Sequence, residues 1–450
     1  MKKRIFCIFF AIIIFCVTTL SVSAFTPTGF EVSARNGILI SYDTGESIYE
    51  KDADTPVNFA SLSMVMSALV IAEKCDDLDS YSCEMTLDVK KRYLGTGLAV
   101  INLTRGGKYS VRELLSLALV GSYSDALYLA AISVFGDEAS CIMAMNEKAV
   151  QLGLTNTVFA DLNGLSEQQY STARELATIF RNAYQNTDIA EMLSTRSYTL
   201  SANAYREKAN ENFTSVSFSN TCMIINPQTA HFYNKVKAGK TGSMTASGRC
   251  IVTLANHEGN SYICVLLGEP TNNITTKEGK SVRPDFYDTK SLYNWVINDF
   301  TYREVVKKGD IITEVEVGLS KDNQYLTLAA ADGLYATLPK NSDNSTVTYN
   351  FIMEKEVINA PVTEGEKLGY AEVYYSGEHI GNIDLVATNS IESSFFAVLG
   401  DTFKRCFESR WFKVFSTVLG IMVGIVLTIS TIMAVRRRVV RSKKVHKNNY

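Results

Sequence analysis

Three short clusters of hydroxyl and amine side chains stand out in this sequence: Ser61-Leu-Ser-Met64, Ser122-Tyr-Ser124 and Lys240-Thr241-Gly242. Ser61 opens a run that reads as a helix, where the positive end of the helix dipole favours a serine oxygen gaining charge. That is the setting of a nucleophile, and a serine hydroxyl needs a base beside it at neutral pH. Residue 64 lies one turn on and stacks beside Ser61. It is a methionine, and a thioether takes no proton at working pH.

The elements that carry these clusters follow from hydropathy. The run Leu62, Met64, Val65, Met66, Ala68, Leu69 and Val70 is apolar almost all round, so its helix belongs inside a domain. Met64 suits that helix as core packing. Upstream, two β-rich runs around Asp43-Thr-Gly45 predict a hairpin. Helical segments are expected over Ser110–Val120, Ala126–Val134 and Ser140–Leu152, and another from Ser171, begun by a capping residue. Arg249–Ala255 and Ser261–Leu267 predict a second hairpin whose strands are covered on both faces. A helix near Thr289–Phe300 closes the unit. Strands at both ends and helices between imply an α/β (α+β) fold with one antiparallel sheet and a helical lobe beside it.

From residue 301 to 388, short valine-rich runs separated by Gly, Asn and Asp read as a small all-β domain. Residues 389–412 space Ile391, Phe395, Phe396, Leu399, Phe403, Phe407 and Trp411 as an amphipathic juxtamembrane helix. Val414 to Val435 holds 22 residues without a charge, matching the ~20 that cross a bilayer. The expected span is 413–435, and the basic tail 436–450 marks the cytoplasmic side. Lys2-Lys3-Arg4, an apolar core and Val22-Ser23-Ala24 read as a signal peptide over 1–24, leaving 25–300 as the main extracytoplasmic domain. The predicted topology is a type I single-pass anchor.

The formal charge of −3 conceals an asymmetry: without three basic residues at the start and seven in the tail, 34 basic face 47 acidic residues. An acidic exported body argues against nucleic acid as a partner. Four histidines lie scattered and no Cys-x-x-Cys occurs, so neither a metal site nor a cofactor is expected. Cys250 and Cys264 read as small buried hydrophobes, while Cys75 and Cys83 flank an acidic loop as candidates for a pair.

The order and context of the three clusters resemble the low-molecular-mass penicillin-binding proteins, the serine D-alanyl-D-alanine carboxypeptidases of peptidase family S11. The resemblance runs from about Gly37 to Pro270. It is carried by Asp43-Thr-Gly45, Ala60-Ser61-Leu62, Met145-Asn-Glu-Lys148, Gly164-Leu165, Tyr170-Ser-Thr-Ala-Arg174 and Ser219-Asn-Thr221. It continues into the β-rich region and the C-terminal anchor. It implies the penicillin-binding fold and an acyl-enzyme on Ser61, formed with the D-Ala-D-Ala end of a peptidoglycan stem peptide; β-lactams are possible ligands. Ser122 is then a proton relay to the leaving group. Lys240, Thr241 and Gly242 hold the substrate's carboxylate and backbone, and the Ser61 N–H helps hold the oxyanion.

Two positions depart from the family's Ser-x-x-Lys and Ser-x-Asn motifs. Met64 replaces the lysine base, and Ser124 replaces an asparagine amide that bonds substrate. Lys240 and Glu167 are the other candidates for a base, and spacing places neither beside Ser61. Two readings follow: a carboxypeptidase trimming peptidoglycan, or a non-catalytic descendant that binds stem peptides or partner proteins.

Overall fold

The computed structural model describes residues 25–447 except 28, 94–95, 322–324 and 344–345, with side chains described as far as 437. The predicted signal peptide, 1–24, lies outside the described residues, as does most of the basic tail's side-chain chemistry. The chain forms two compact units. One runs to Arg303 and includes 335–346 and 376–378; the other holds the remainder.

In the first unit, β1 (Asn36–Ser41), β2 (Ser47–Lys51), β3 (Val236–Met244), β4 (Gly248–His257) and β5 (Asn260–Glu269) form one sheet in the order β2-β1-β5-β4-β3. Every pairing is antiparallel. Both ends of the unit therefore supply one sheet, as the sequence implies. Strand alternation divides its side chains between two cores. Ile263, Val265 and Leu267 of β5 enter the helical lobe's core. Tyr262, Cys264 and Leu266 face the other way, against Phe286, Leu292, Tyr293 and Trp295.

The lobe is built on α1 (Ser63–Lys74), which packs against α2 (Val111–Gly121), α3 (Ser124–Phe135), α4 (Glu138–Gln151) and α5 (Ala173–Gln185). Residues 63 to 71 of α1 are all buried, which accounts for the absence of a polar face. Ser110 and Glu113 close a capping box at the head of α2. The cap of α5 is Thr172 rather than Ser171. Ser171 instead bridges to Val57 and bonds Thr157 Oγ1 through its hydroxyl. The closing helix α6 (Pro284–Asp299) starts earlier than predicted, with proline in its first turn.

Cys75 and Cys83 are both free thiols, so the candidate pair is not formed. Cys250 and Cys264 are buried as expected.

Beneath the sheet, Glu269 and Asp288 are both almost fully buried. Burial, reinforced by Asp288, pushes the Glu269 carboxyl up from its ordinary 4.5 to about 9. Its folded state therefore holds a proton that the unfolded chain gives up, and stability falls as pH rises from about 4.5 to about 9. Glu269→Gln should flatten that slope. Its melting temperature should exceed the parent's at pH 8.5 and converge with it near pH 4.5. Parallel melting curves across this range would contradict the assignment.

The second unit contains a six-stranded sheet ordered Val347–Met353, Lys367–Tyr375, Glu378–Ala387, Tyr325–Ala330, Ile311–Gly318 and Ile358–Asn359. Leu326, Leu328, Ala371, Val373 and Leu385 are buried in it. Helix α7 (Phe395–Glu408) starts later than the predicted 389, because Ile391 is buried and bridges to Val362; Phe395, Leu399, Phe403 and Phe407 are exposed at intervals of four. Trp411 falls in the next helix, α8 (Arg410–Lys447). Its stretch Arg410–Arg437 is long and apolar enough to cross a membrane.

Candidate active site

Ser61 sits in a short 3-10 turn, Ala60–Leu62, two residues before α1. Ser61 is thus at the mouth of the helix rather than inside its first turn. Ala60 is held at φ 48, in the left-handed region that a residue with a Cβ rarely occupies. Asn58 fixes this turn: its Oδ1 accepts from Ala60 N at 3.0 Å, while its Nδ2 donates to Ser166 O at 2.9 Å. The partner loop winds around Asp161, whose Oδ1 accepts from Asn163 N at 2.8 Å and Gly164 N at 2.6 Å. Ser67 on α1 ties the loop down through Leu162 O at 2.9 Å.

This wiring brings backbone against backbone. A Cβ on Gly164 would lie 2.0 Å from Ala60 O and 2.7 Å from Ser61 N, and Gly164 has φ +87. A Cβ on Gly242 would lie 2.9 Å from Ser61 N. Glycine at both positions is what lets two strands of chain close around the Ser61 amide.

The three sequence clusters do meet. Ser61, Met64, Ser122, Ser124, Thr241 and Gly242 line one groove of about 380 Å³. Lys240 stands behind it, fully buried, with its Nζ bonded to Ser122 Oγ and, at 2.8 Å, to the Thr241 carbonyl. Ser61 Oγ donates to that same carbonyl oxygen at 3.3 Å. Burial holds Lys240 well below an ordinary lysine, at about 7. Thr241 Oγ1 bonds Thr221 Oγ1 at 3.1 Å on the groove floor. Ser122 ends α2 in the left-handed region, φ 57 and ψ 33.

Met64 is 1% exposed, touching both core and groove. It is core packing, as its type suggests, and it also forms the wall beside the serine. Ser124 is buried at the start of α3, and its Oγ has no hydrogen-bond partner. Asn163 is likewise buried on the groove wall: its Nδ2 donates to Tyr93 OH at 2.7 Å, while its Oδ1 is unpaired. Glu167, a candidate base by sequence, is exposed and does not line the groove.

Sequence reading missed Arg283. Its guanidinium reaches the groove while Asp285 holds it through two bonds of 2.9 Å, and it lies 4.2 Å over Phe286. Arg-Pro opening a helix signals a helix start, and nothing in that cue points to a ligand. The result is a hydroxyl-lined groove with one guanidinium at its edge, a donor set able to hold a carboxylate. Among the described residues no cluster of His, Cys, Asp and Glu can hold a metal ion.

A family profile described as D-alanyl-D-alanine carboxypeptidase matches residues 21–271, and one described as the penicillin-binding protein 5 C-terminal domain matches 300–393. D-alanyl-D-alanine carboxypeptidase DacF of Bacillus subtilis is 26% identical over 383 residues, covering 84% of this chain and 90% of its own. DacC of Escherichia coli is 25% identical over 405 residues, covering 86% and 94%. Among solved structures, the carboxypeptidase DacD from Francisella tularensis superposes with a TM-score of 0.64 at 21% identity, over 82% of this chain and 96% of that one. Penicillin-binding protein 5 from Haemophilus influenzae does so with a TM-score of 0.60 at 22% identity, over 82% and 100%. These two share the penicillin-binding fold. With more than half its length matched and the three clusters gathered in one groove, the chain belongs to the D-alanyl-D-alanine carboxypeptidase family.

Proposed function

We propose that this chain is a cell-surface protein that binds the D-Ala-D-Ala end of peptidoglycan stem peptides and forms an acyl-enzyme on Ser61, at a rate depressed by Met64. The observation that carries this reading is the close packing of Gly164 and Gly242 on the Ser61 amide. Core packing alone does not call for a left-handed alanine before the serine and two glycines against its N–H. An oxyanion site does.

In this reading Ser61 attacks the carbonyl between the two D-alanines. Ser122 passes a proton to the leaving amine. Thr241, Gly242 and Arg283 hold the terminal carboxylate and the adjoining backbone, and Ser124 supplies a hydroxyl where relatives with the asparagine supply an amide. Residues 25–300 form the catalytic-type domain and 301–388 a separate β-domain. The segment 395–412 lies on the membrane, 413–435 crosses it, and the basic tail 436–450 stays in the cytoplasm.

The second reading, a stem-peptide binder without turnover, is favoured by one observation: the Ser61 hydroxyl donates to the Thr241 carbonyl, and the side chain one turn away is a thioether. Intact mass after exposure to a penicillin separates the two. The expected result is an adduct of one penicillin per chain, absent in Ser61→Ala. Saturable peptide binding with no adduct after a day at high penicillin would establish the binder instead.

A further inference from the structure

Met64 leaves Ser61 without a base on its own helix, and the groove offers a second one. Lys240 Nζ bonds Ser122 Oγ, and Lys240 Nζ and Ser61 Oγ converge on a single atom, the carbonyl oxygen of Thr241. Ser122 lines the same groove as Ser61. Its backbone takes the left-handed conformation that ends α2, one a serine adopts less readily than a glycine. We propose that Lys240, acting through Ser122, is the base that takes the proton of Ser61 in this chain, an inference that rests on the acyl-enzyme reading above.

The step balances as follows. Neutral Lys240 gives one N–H to the Thr241 carbonyl and turns its lone pair to the Ser122 hydroxyl. The Ser122 proton moves to Nζ and the Ser61 proton moves to Ser122 Oγ. Ser61 Oγ bonds to the peptide carbonyl carbon, whose oxygen takes the negative charge. Collapse of that intermediate breaks the C–N bond, and the proton stored on Lys240 returns through Ser122 to the leaving amine. In deacylation, water loses its proton along the same route and Ser61 regains one.

The surroundings allow a neutral amine. Burial brings Lys240 to about 7. The titratable group that faces it is Cys222, whose thiol is itself pushed up to about 12 by burial and is uncharged at neutral pH. Beyond Cys222 lies Arg283, already ion-paired with Asp285. Among the described residues no carboxylate is bonded to Lys240, whose partners are Ser122 and the Thr241 carbonyl, so none fixes it in its charged form.

A cation that merely holds substrate and a base that activates serine have opposite pH signatures. The test uses the full-length chain in detergent and two acyl donors: a penicillin, and an activated ester without a carboxylate. The rate of Ser61 acylation is followed from pH 5.5 to 9. With Lys240 as base, the rate for both donors should rise about tenfold per pH unit and level off above about 7. Lys240→Arg should lose at least ~100-fold with the ester, and Lys240→Arg combined with Met64→Lys should regain it.

A rate that falls as pH rises through 7, or one that Lys240→Arg leaves unchanged, would overturn the relay and keep the acyl-enzyme reading. A double variant that stays inactive would show that Lys240 is needed for something other than its proton, and would also overturn the relay. If the parent chain forms no adduct with either donor, the acyl-enzyme reading itself fails.

Discussion

Met64→Lys should accelerate acylation of Ser61 by ~10² to 10⁴, the usual worth of a positioned general base. The position is right: residue 64 follows Ser61 by one turn and already forms part of the groove wall. The environment is right as well. A lysine of similar length would enter a groove that Ser124 and Asn163 also line, where Ser124 Oγ and Asn163 Oδ1 are buried, unpaired acceptors. Those partners offset part of the cost of burying an amine. Burial would lower the new lysine's pKa, as it does for Lys240, and supply the neutral form that takes a proton. The measurement is the rate of penicillin adduct formation, together with D-alanine release from a stem peptide. Ser61→Ala in the Met64→Lys background should abolish both. A Met64→Lys variant that keeps the parent's melting temperature but acylates no faster would show that the base is not what limits this site.

Much of this site is legible in the sequence, and the reason is local. The apolar run after Ser61 could only be a central helix. The paired hydrophobic runs near 250 and 264 read as strands covered on both faces, and β4 and β5 are so covered. The three clusters could be recognised by residue type and order. What stayed illegible depends on contacts between distant parts of the chain. Lys240 and Ser122 are separated by 118 positions, and only the sheet order places β3 beside the end of α2. Gly164 reads as an ordinary turn glycine until the loop around Asp161 is seen pressing it against Ala60. Arg283 has no motif at all. The shift of the α5 cap from Ser171 to Thr172 has the same origin, because tertiary bonds to Val57 and Thr157 claimed the serine first.

Gly164→Ala is expected to cost Ser61 chemistry at least ~10²-fold, the scale set by loss of a single oxyanion donor. Two effects act at this residue and can be separated. The first is conformational: φ +87 disfavours any residue with a Cβ, by roughly 1–2 kcal/mol. The second is steric: the new methyl would stand 2.0 Å from the Ala60 carbonyl oxygen and 2.7 Å from Ser61 N. Both obstacles are backbone, so no side-chain tip can swing aside, and relief requires moving the turn that presents Ser61. Gly153→Ala supplies the control. Gly153 has φ +74 and nothing within 4 Å of the added Cβ, so it carries the conformational effect alone. Gly153→Ala should therefore lose a few degrees of melting temperature, and Gly164→Ala more. Gly153→Ala should acylate at the parent's rate, measured in the Met64→Lys background where the signal is large. Gly164→Ala should not, because its methyl displaces the Ser61 amide while the cores on both sides of the sheet stay packed. If the two alanine variants acylate alike, the closeness of Gly164 to Ser61 is a packing detail, and the oxyanion site must be sought elsewhere in the groove.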